Sequence, residues 1–247
     1  MIVAPLFAVV ALLASSASAV CNGAAKVITN CKNTNQVALT FDDGPYLYED
    51  DISSRFTAAG AHATFFLNGN NWACIYDHAD TLLNLQAAGH TLASHTWSHP
   101  DLTKLDYNGI DQELEKVEAA FIKILGLKPT YFRPPYGNYN DLVLQVLRDR
   151  GYQKVFIWSD DTEDADGQSV SYGQNVITSA ANTAGPHMVL MHSTEPHTHD
   201  QLVPFALTAF KNKGYGIVSA DTCLGSDGEW PYVYIGPPGT RDSTWKC

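Results

Sequence analysis

The chain has 247 residues, 45% of them hydrophobic and 17% charged, with a formal net charge of −11 at neutral pH. This length and apolar content suffice for one sizeable core, and a single α/β barrel commonly has this size. The negative charge argues against nucleic acid and anionic membranes as partners and suits a neutral or cationic substrate or product, although solubility alone also accounts for it.

Residues 2–14 form an apolar run followed by Ser15-Ser16-Ala17-Ser18-Ala19. The run is too short to span a bilayer comfortably, and the small residues Ala17 and Ala19 form a cleavage site. Residues 1–19 are therefore expected to be a secretory signal peptide and residues 20–247 a single folded domain. The expected location is secreted, extracellular or in the cell wall. One departure is that no Lys or Arg precedes the run. The tail after Gly225 is polar and aromatic, so no lipid anchor of the glycosylphosphatidylinositol type is expected. Five cysteines, Cys21, Cys31, Cys74, Cys223 and Cys247, suit an oxidising compartment.

The first strand is expected over residues 36–41, an apolar, β-branched and aromatic run that stops at Asp42-Asp43-Gly44-Pro45. From there one pattern recurs: an amphipathic helix, a glycine, then a short apolar strand. Gly60, Gly89, Gly126, Gly151, Gly185 and Gly214 precede strands expected over 63–67, 90–94, 130–133, 154–158, 188–192 and 215–219. Each glycine stands where a helix end calls for a left-handed residue. Ile110, Leu114, Val117, Phe121, Ile124 and Leu125 make one helical stripe, and Leu202, Phe205, Ala206, Ala209 and Phe210 another. Strands alternating with helices imply an α/β fold with a parallel sheet. About seven units predict a distorted or incomplete (β/α) barrel, with a doubly wound open sheet as the alternative. In a closed barrel the first and last strands are neighbours, which predicts a Cys31–Cys223 disulfide. A Cys21–Cys247 bridge would then tie the termini and leave Cys74 free.

Ionisable residues gather at the strand ends. Asp42 and Asp43 end the first strand, His95 and His99 follow the third, and Arg133 ends the fourth. Asp160, Asp161 and Asp164 follow the fifth, and His192 ends the sixth. In parallel α/β architectures these ends share the rim that carries the active site. Adjacent carboxylates leaving a strand point in different directions, so one can hold a metal while the other removes a proton. Two histidines with one carboxylate leave coordination positions open, as in catalytic zinc sites. Imidazole favours zinc, with cobalt, nickel and manganese also open. Singly, each feature has a plainer reading: Asp-Gly is a turn dipeptide, and two histidines four apart are often core residues.

Five segments together are similar to a known family: TFDDG at 40–44, HTWSH at 95–99, RPPYG at 133–137, DTED at 161–164 and LMH at 190–192. Over residues 37–218 the chain resembles the polysaccharide deacetylases, carbohydrate esterase family four, and most closely the secreted fungal chitin deacetylases. The resemblance implies a barrel of the polysaccharide deacetylase type and a divalent metal held by Asp43, His95 and His99. It implies Asp42 as general base oriented by Arg133, and His192 as general acid with its pKa raised by Asp164. The metal and the backbone N–H of Tyr136 would stabilise the oxyanion, and Leu190 would line the acetyl pocket. Where family members usually carry Trp after the second Asp of the fourth segment, this chain has Ala165, which bears on substrate preference. Tyr46, Trp72, Trp97, Tyr136 and Tyr139 are read either as stacking platforms for sugar rings at the rim or as core packing. Asp160 is expected to be solvated and His197 and His199 exposed. His62, His78, His90 and His187 receive no role.

The expected function is metal-dependent N-deacetylation of N-acetylglucosamine residues in chitin or chito-oligosaccharides by a monomer, without nucleic acid or a membrane anchor. The alternatives are acetylxylan or peptidoglycan deacetylation on the same machinery, or a chitin-binding protein without turnover.

Overall fold

Strand alternation decides which side chains meet in the middle of this protein and which face the helices. The computed structural model describes residues 25–247; the expected signal peptide and Cys21 lie outside them. In chain order the elements are β1 (Lys26–Ile28), β2 (Gln36–Asp42), α1 (Glu49–Ala58), β3 (Thr64–Leu67), α2 (Ala79–Ala87), β4 (Thr91–Ser94) and α3 (Tyr107–Leu125). There follow β5 (Leu127–Pro129), β6 (Tyr131–Phe132), α4 (Asp141–Asp149), β7 (Lys154–Phe156), β8 (Asp160–Asp161), α5 (Val170–Asn182), β9 (His187–His192), α6 (Val203–Asn212), β10 (Gly216–Ile217) and β11 (Tyr232–Tyr234).

The main sheet runs β1-β7-β6-β4-β3-β2-β9-β8, every pairing parallel. It curls into an incomplete barrel, as expected, and the gap has a specific cause. The strand expected over 154–158 ends at Phe156: β7 pairs with β6, and a separate strand just beyond Trp158, β8, pairs with β9. Midway, the Ile157 N–H donates to the Ile28 carbonyl and the Ser159 N–H to the Met188 carbonyl. The same stretch of chain thus belongs to both lips of the gap. The last strand is shorter than the run expected over 215–219. β10 pairs with the start of β2 at Gln36 and Val37, on the first strand as expected, but it is only two residues long.

Both faces of the sheet are buried. Val37, Leu39 and Phe41 of β2 pack outward with Phe65, Leu92, Val189 and the helix stripes. Ala38, Phe66, Ala93, Tyr131, Phe156 and Met188, one from each of six strands, fill the interior below the rim. Cys31 and Cys223 join this interior cluster and are bonded to each other, as expected from the neighbouring first and last strands.

The second disulfide corrects the expected one: Cys247 pairs with Cys74, not Cys21. The tail crosses the end of α3, where the Gly239 N–H donates to the Lys123 carbonyl, and Arg241 donates to the Tyr76 carbonyl. Trp245 packs 5.8 Å from the Tyr76 ring and delivers Cys247 to the loop after β3. Gly126 permits this path. It ends α3 at φ +70°, and a Cβ there would collide with the Gly236 carbonyl. Gly185, by contrast, is no helix cap, since α5 has already ended at Asn182. Among the described residues no helix is long and apolar enough to cross a membrane.

Candidate active site

The inward row of β2 is Ala38, Thr40, Asp42, and it changes character toward the rim. Ala38 is interior filler, Thr40 is a polar seat, and Asp42 closes the row at 3% exposure. Arg133, one residue beyond β6 and fully buried, uses that seat. Its Nη1 donates to Thr40 Oγ1 (2.8 Å) and to Asp42 Oδ1 (2.7 Å), and its Nη2 to the Ile157 carbonyl (3.2 Å). The guanidinium lies 4.1 Å over the Phe66 ring. Burial draws the Arg133 pKa down, and the charge and hydrogen bond of Asp42 oppose that shift. One Asp42 oxygen is thereby pinned, while Oδ2 stands 3.6 Å from His95 Nε2.

Asp43 leaves the strand in a left-handed conformation, φ +73°. It meets the histidines of the loop after β4. Asp43 Oδ1 is 3.6 Å from His95 Nε2 and 3.2 Å from His99 Nε2, and the three ligand atoms lie within 4.8 Å of one another. Thr96 and His99 also take positive φ, +75° and +59°, which is how so short a loop aims both rings at one point. His95 Nδ1 lies 2.7 Å from the Arg133 carbonyl, an acceptor, so Nδ1 carries the proton and Nε2 presents a lone pair. Burial and the neighbouring His95 hold the His99 pKa below its ordinary value, which favours neutral imidazole at His99.

These residues fit a divalent cation. A buried carboxylate oxygen of Asp43 has no hydrogen-bond donor although two imidazoles stand against it. A lone pair and an anion facing each other in a buried site are stabilised by a positive ion between them. Nitrogen and oxygen donors of this kind suit zinc and its neighbours in the transition series.

Across the cavity His192 ends β9. Its ring Nδ1 lies 2.7 Å from Asp164 Oδ1, and its backbone N–H donates to Asp164 Oδ2 (2.8 Å). Thr198 Oγ1 also donates to Asp164 Oδ2 (2.5 Å). Burial alone would lower the His192 pKa. The Asp164 hydrogen bond and charge, with smaller contributions from Asp42 and Asp43, outweigh it and raise the value to about 9. Asp164 itself, although buried, is held below the ordinary carboxylate range by His192 and Thr198. With Nδ1 engaged by Asp164, the charged ring has its Nε2 left for the cavity.

The cavity holds about 350 Å³ and is lined by Asp42, Asp43, His95, His99 and His192, with Tyr136, Trp158, Leu190, Asp161, Ala165 and Asp166 completing the wall. Every metal-ligating, base and acid residue expected from the sequence converges here. Arg133 and Asp164 stand directly behind, and Leu190 lines the wall. Tyr136 sits at φ +60° with its ring 4.7 Å from that of His99. Trp72 is half exposed, tilts against Tyr46 at 5.5 Å, and stands outside the cavity wall. Trp97 turns inward against Tyr76 and the core, so its packing reading holds.

Trp158 and Asp166 are wall residues that the sequence reading gave no role. Trp158 was legible by alternation, since Phe156 points inward and Trp158 is two residues on. A Cβ on Gly137 would stand 2.9 Å from the Trp158 ring, so this glycine lets the indole close against the turn that bears Tyr136. Three expectations are corrected, the first being that His197 is exposed: it is half-buried, with its Nε2 out of contact with solvent. Asp160 is not free in solvent, because Oδ2 lies 2.9 Å from His187 Nδ1 and accepts from Ser159 Oγ. His199 is not exposed either. It stacks on Tyr48 at 4.7 Å, with its two ring nitrogens 2.6 and 2.7 Å from Asp51 and Asp200.

Residues 29–155 match the polysaccharide deacetylase family. A chitin deacetylase of Pestalotiopsis sp is 39% identical over 232 residues, 90% of this chain and 76% of that protein. The chain belongs to the polysaccharide deacetylase family. A probable peptidoglycan-N-acetylglucosamine deacetylase of Arthroderma benhamiae is 38% identical over 206 residues, 81% of this chain and 46% of that longer protein. The solved chitin deacetylase of Colletotrichum lindemuthianum superposes with a TM-score of 0.80 at 30% identity, covering 86% of this chain and 97% of that one. The family's curled (β/α) barrel is therefore the fold of this chain as well.

Proposed function

We propose that this deacetylase is a metal-dependent hydrolase that removes N-acetyl groups from N-acetylglucosamine residues of chitin and chito-oligosaccharides. The observation that carries the reading is the opposition of two groups across one cavity, a carboxylate paired with a cation and an imidazole paired with an anion. The Asp42 carboxylate is pinned by the Arg133 guanidinium on one side, and His192, its pKa raised by Asp164, is held on the other. Such a pair suits a reaction that takes a proton early and returns one late.

Asp43, His95 and His99 would hold the ion, with zinc the best match and cobalt next. When bound, such an ion supplies Lewis acidity toward the amide carbonyl and toward water. Asp42 Oδ2 removes a proton from the water as its oxygen attacks the carbonyl carbon. The N–H of Tyr136 donates to the oxygen that becomes negative. As the C–N bond breaks, His192 Nε2 protonates the departing amine, and acetate and a glucosamine unit result. Leu190 and Trp158 close around the acetyl methyl, and Trp72 offers a face to a neighbouring sugar ring at the rim. Residues 20–247 act as one catalytic domain of a secreted monomer, in keeping with two disulfides.

The relatives support two polymers, since one is named for chitin and another for peptidoglycan. The higher identity and the structural match favour chitin. Acetate release from N-acetylglucosamine tetramer, acetylated peptidoglycan fragments and acetylated xylan, with and without a chelator, tests the reading. Chelator-sensitive release from the tetramer, restored by zinc, is expected. Release only from peptidoglycan or xylan would replace the substrate, and tetramer binding without any release would leave a binding protein.

A further inference from the structure

The first turn of α1 reads Glu49-Asp50-Asp51, and such a run is ordinarily a solvated helix start that complements the helix dipole. Here each acid has its own partner. Asp50 accepts from Thr81 Oγ1 (2.8 Å) and Asn84 Nδ2 (3.2 Å) of α2, and Asp51 faces His199. Glu49 turns inward and is 1% exposed.

Its two oxygens bind two separate pieces of the site. Oε2 accepts the N–H of Tyr46 (2.9 Å), in the loop that begins at Asp42-Asp43. Oε1 accepts Ser193 Oγ (2.7 Å), on the residue that follows His192. The Ser193 N–H in turn donates to the Asp42 carbonyl (3.4 Å). A Cβ on Gly44 would collide with Glu49 Oε1, so the glycine after Asp43 is what lets the loop lie against this carboxyl.

Four carboxylate side chains are buried among the described residues: Asp42, Glu49, Glu118 and Asp164. Asp42 faces Arg133, Glu118 faces Arg150 and Lys128, and Asp164 faces His192. Glu49 alone of the four has only neutral hydrogen-bond donors. An ion-pair role is therefore absent, and what remains is the joining of two backbone segments.

We propose that Glu49 is a positioning residue. It couples the loop of Asp42 and Asp43 to the strand end of His192, and so sets the spacing between base and acid. It touches no reacting atom, and the inference rests on the hydrolytic reading above. Misplacement of a reacting group by about 1 Å can cost roughly 10²-fold in rate, so a small relaxation suffices.

The test uses Glu49→Ala, Glu49→Gln and Ser193→Ala. Glutamine retains both links, with its carbonyl accepting from Tyr46 and its amide donating to Ser193. Relative to wild type, and per folded molecule, Glu49→Ala is expected to lower kcat on the soluble tetramer by about 10²-fold with KM little changed. Glu49→Gln should stay within about threefold, and Glu49→Ala combined with Ser193→Ala should be no slower than Glu49→Ala alone. Hydrogen exchange supplies a readout independent of turnover: in Glu49→Ala, amides of residues 44–48 and 192–195 should exchange faster while the remaining sheet is unchanged. Native-like kcat in Glu49→Ala, a Glu49→Gln variant as slow as alanine, or faster exchange confined to one segment would each overturn the proposal. Should wild type release no acetate from any polymer, the hydrolytic reading falls. The exchange pattern, with Glu49→Gln as the folded control, still decides whether Glu49 joins the two segments.

Discussion

Two arginines organise charge in this protein in opposite ways. Arg150, at the end of α4, forks onto both oxygens of Glu118 (2.8 and 2.7 Å) and reaches Asp111 Oδ1 (2.5 Å), while Lys128 stands 3.2 Å from the same Glu118. Two cations meet two anions, and the Glu118 hydrogen bond outweighs burial to raise the Arg150 pKa. Arg133 is buried more deeply with less support. Its Nε has no partner, its direct charge partner is the single carboxylate of Asp42, and burial lowers its pKa. Asp43, one residue from Asp42, likewise keeps an oxygen without a donor. A complete network holds structure in place. An incomplete one, kept out of water, holds groups ready for something that arrives later.

The sharpest way to break this contrast is Asp42→Asn. The amide oxygen still accepts from Arg133, but the side chain can no longer take a proton. Turnover is expected to fall about 10³-fold, while metal content, measured by elemental analysis after dialysis, stays at the wild-type level. An active Asp42→Asn enzyme would remove Asp42 from the role of base and reduce Arg133 to a structural residue like Arg150.

Asp164→Asn acts on the other half of the site. In wild type kcat should decline as pH rises through about 9, where His192 loses its proton. Without the Asp164 charge the His192 pKa falls, so the alkaline decline moves to lower pH and turnover at pH 8 drops by more than at pH 6. Stability follows the same pair. His192 has a folded pKa above its ordinary 6.5, so its contribution is complete below pH 6.5 and is lost as pH rises through about 9. Asp164 has a lowered pKa, so its contribution is lost as pH falls through the native carboxyl value. Urea unfolding of the two proteins across pH should therefore differ most between those limits. An unmoved alkaline limb would show that another group supplies the leaving-group proton.

Much of this site was legible because it lies where a simple rule places it. Asp42, His95, Arg133 and His192 are at or just past the ends of parallel strands, and their motif spacing marked them as a set. Trp158 obeys the same two-residue alternation but belongs to none of the five motif segments. What the sequence hid depends on tertiary encounters. The three residues of β1 and the two of β8 are too short for periodicity, and their strand character comes from the partners they meet. The Cys74–Cys247 bridge depends on the path of the tail over α3. Glu49-Asp50-Asp51 looks like a solvated helix start, and only packing reveals that one member is buried and the other two are bound. Asp160 and His199 differ from expectation for the same reason, since local polarity does not disclose a partner 27 or 148 residues away.

The mildest perturbation tests the structural arginine. Glu118→Gln keeps the size of the side chain and one oxygen for the Arg150 fork, but removes the charge and replaces an acceptor with a donor aimed at guanidinium or ammonium. The loss of charge-assisted hydrogen bonds at this nearly buried position should lower unfolding stability by about 2 kcal/mol, read from the urea midpoint at unchanged slope. Glu118 lies on α3, faces Arg150 and Lys128, and is not part of the cavity wall. kcat and KM on the tetramer should therefore remain at the wild-type values. A large fall in turnover with an intact fold would mean that the outer helices are mechanically coupled to the rim, and that the two arginines are not separate systems.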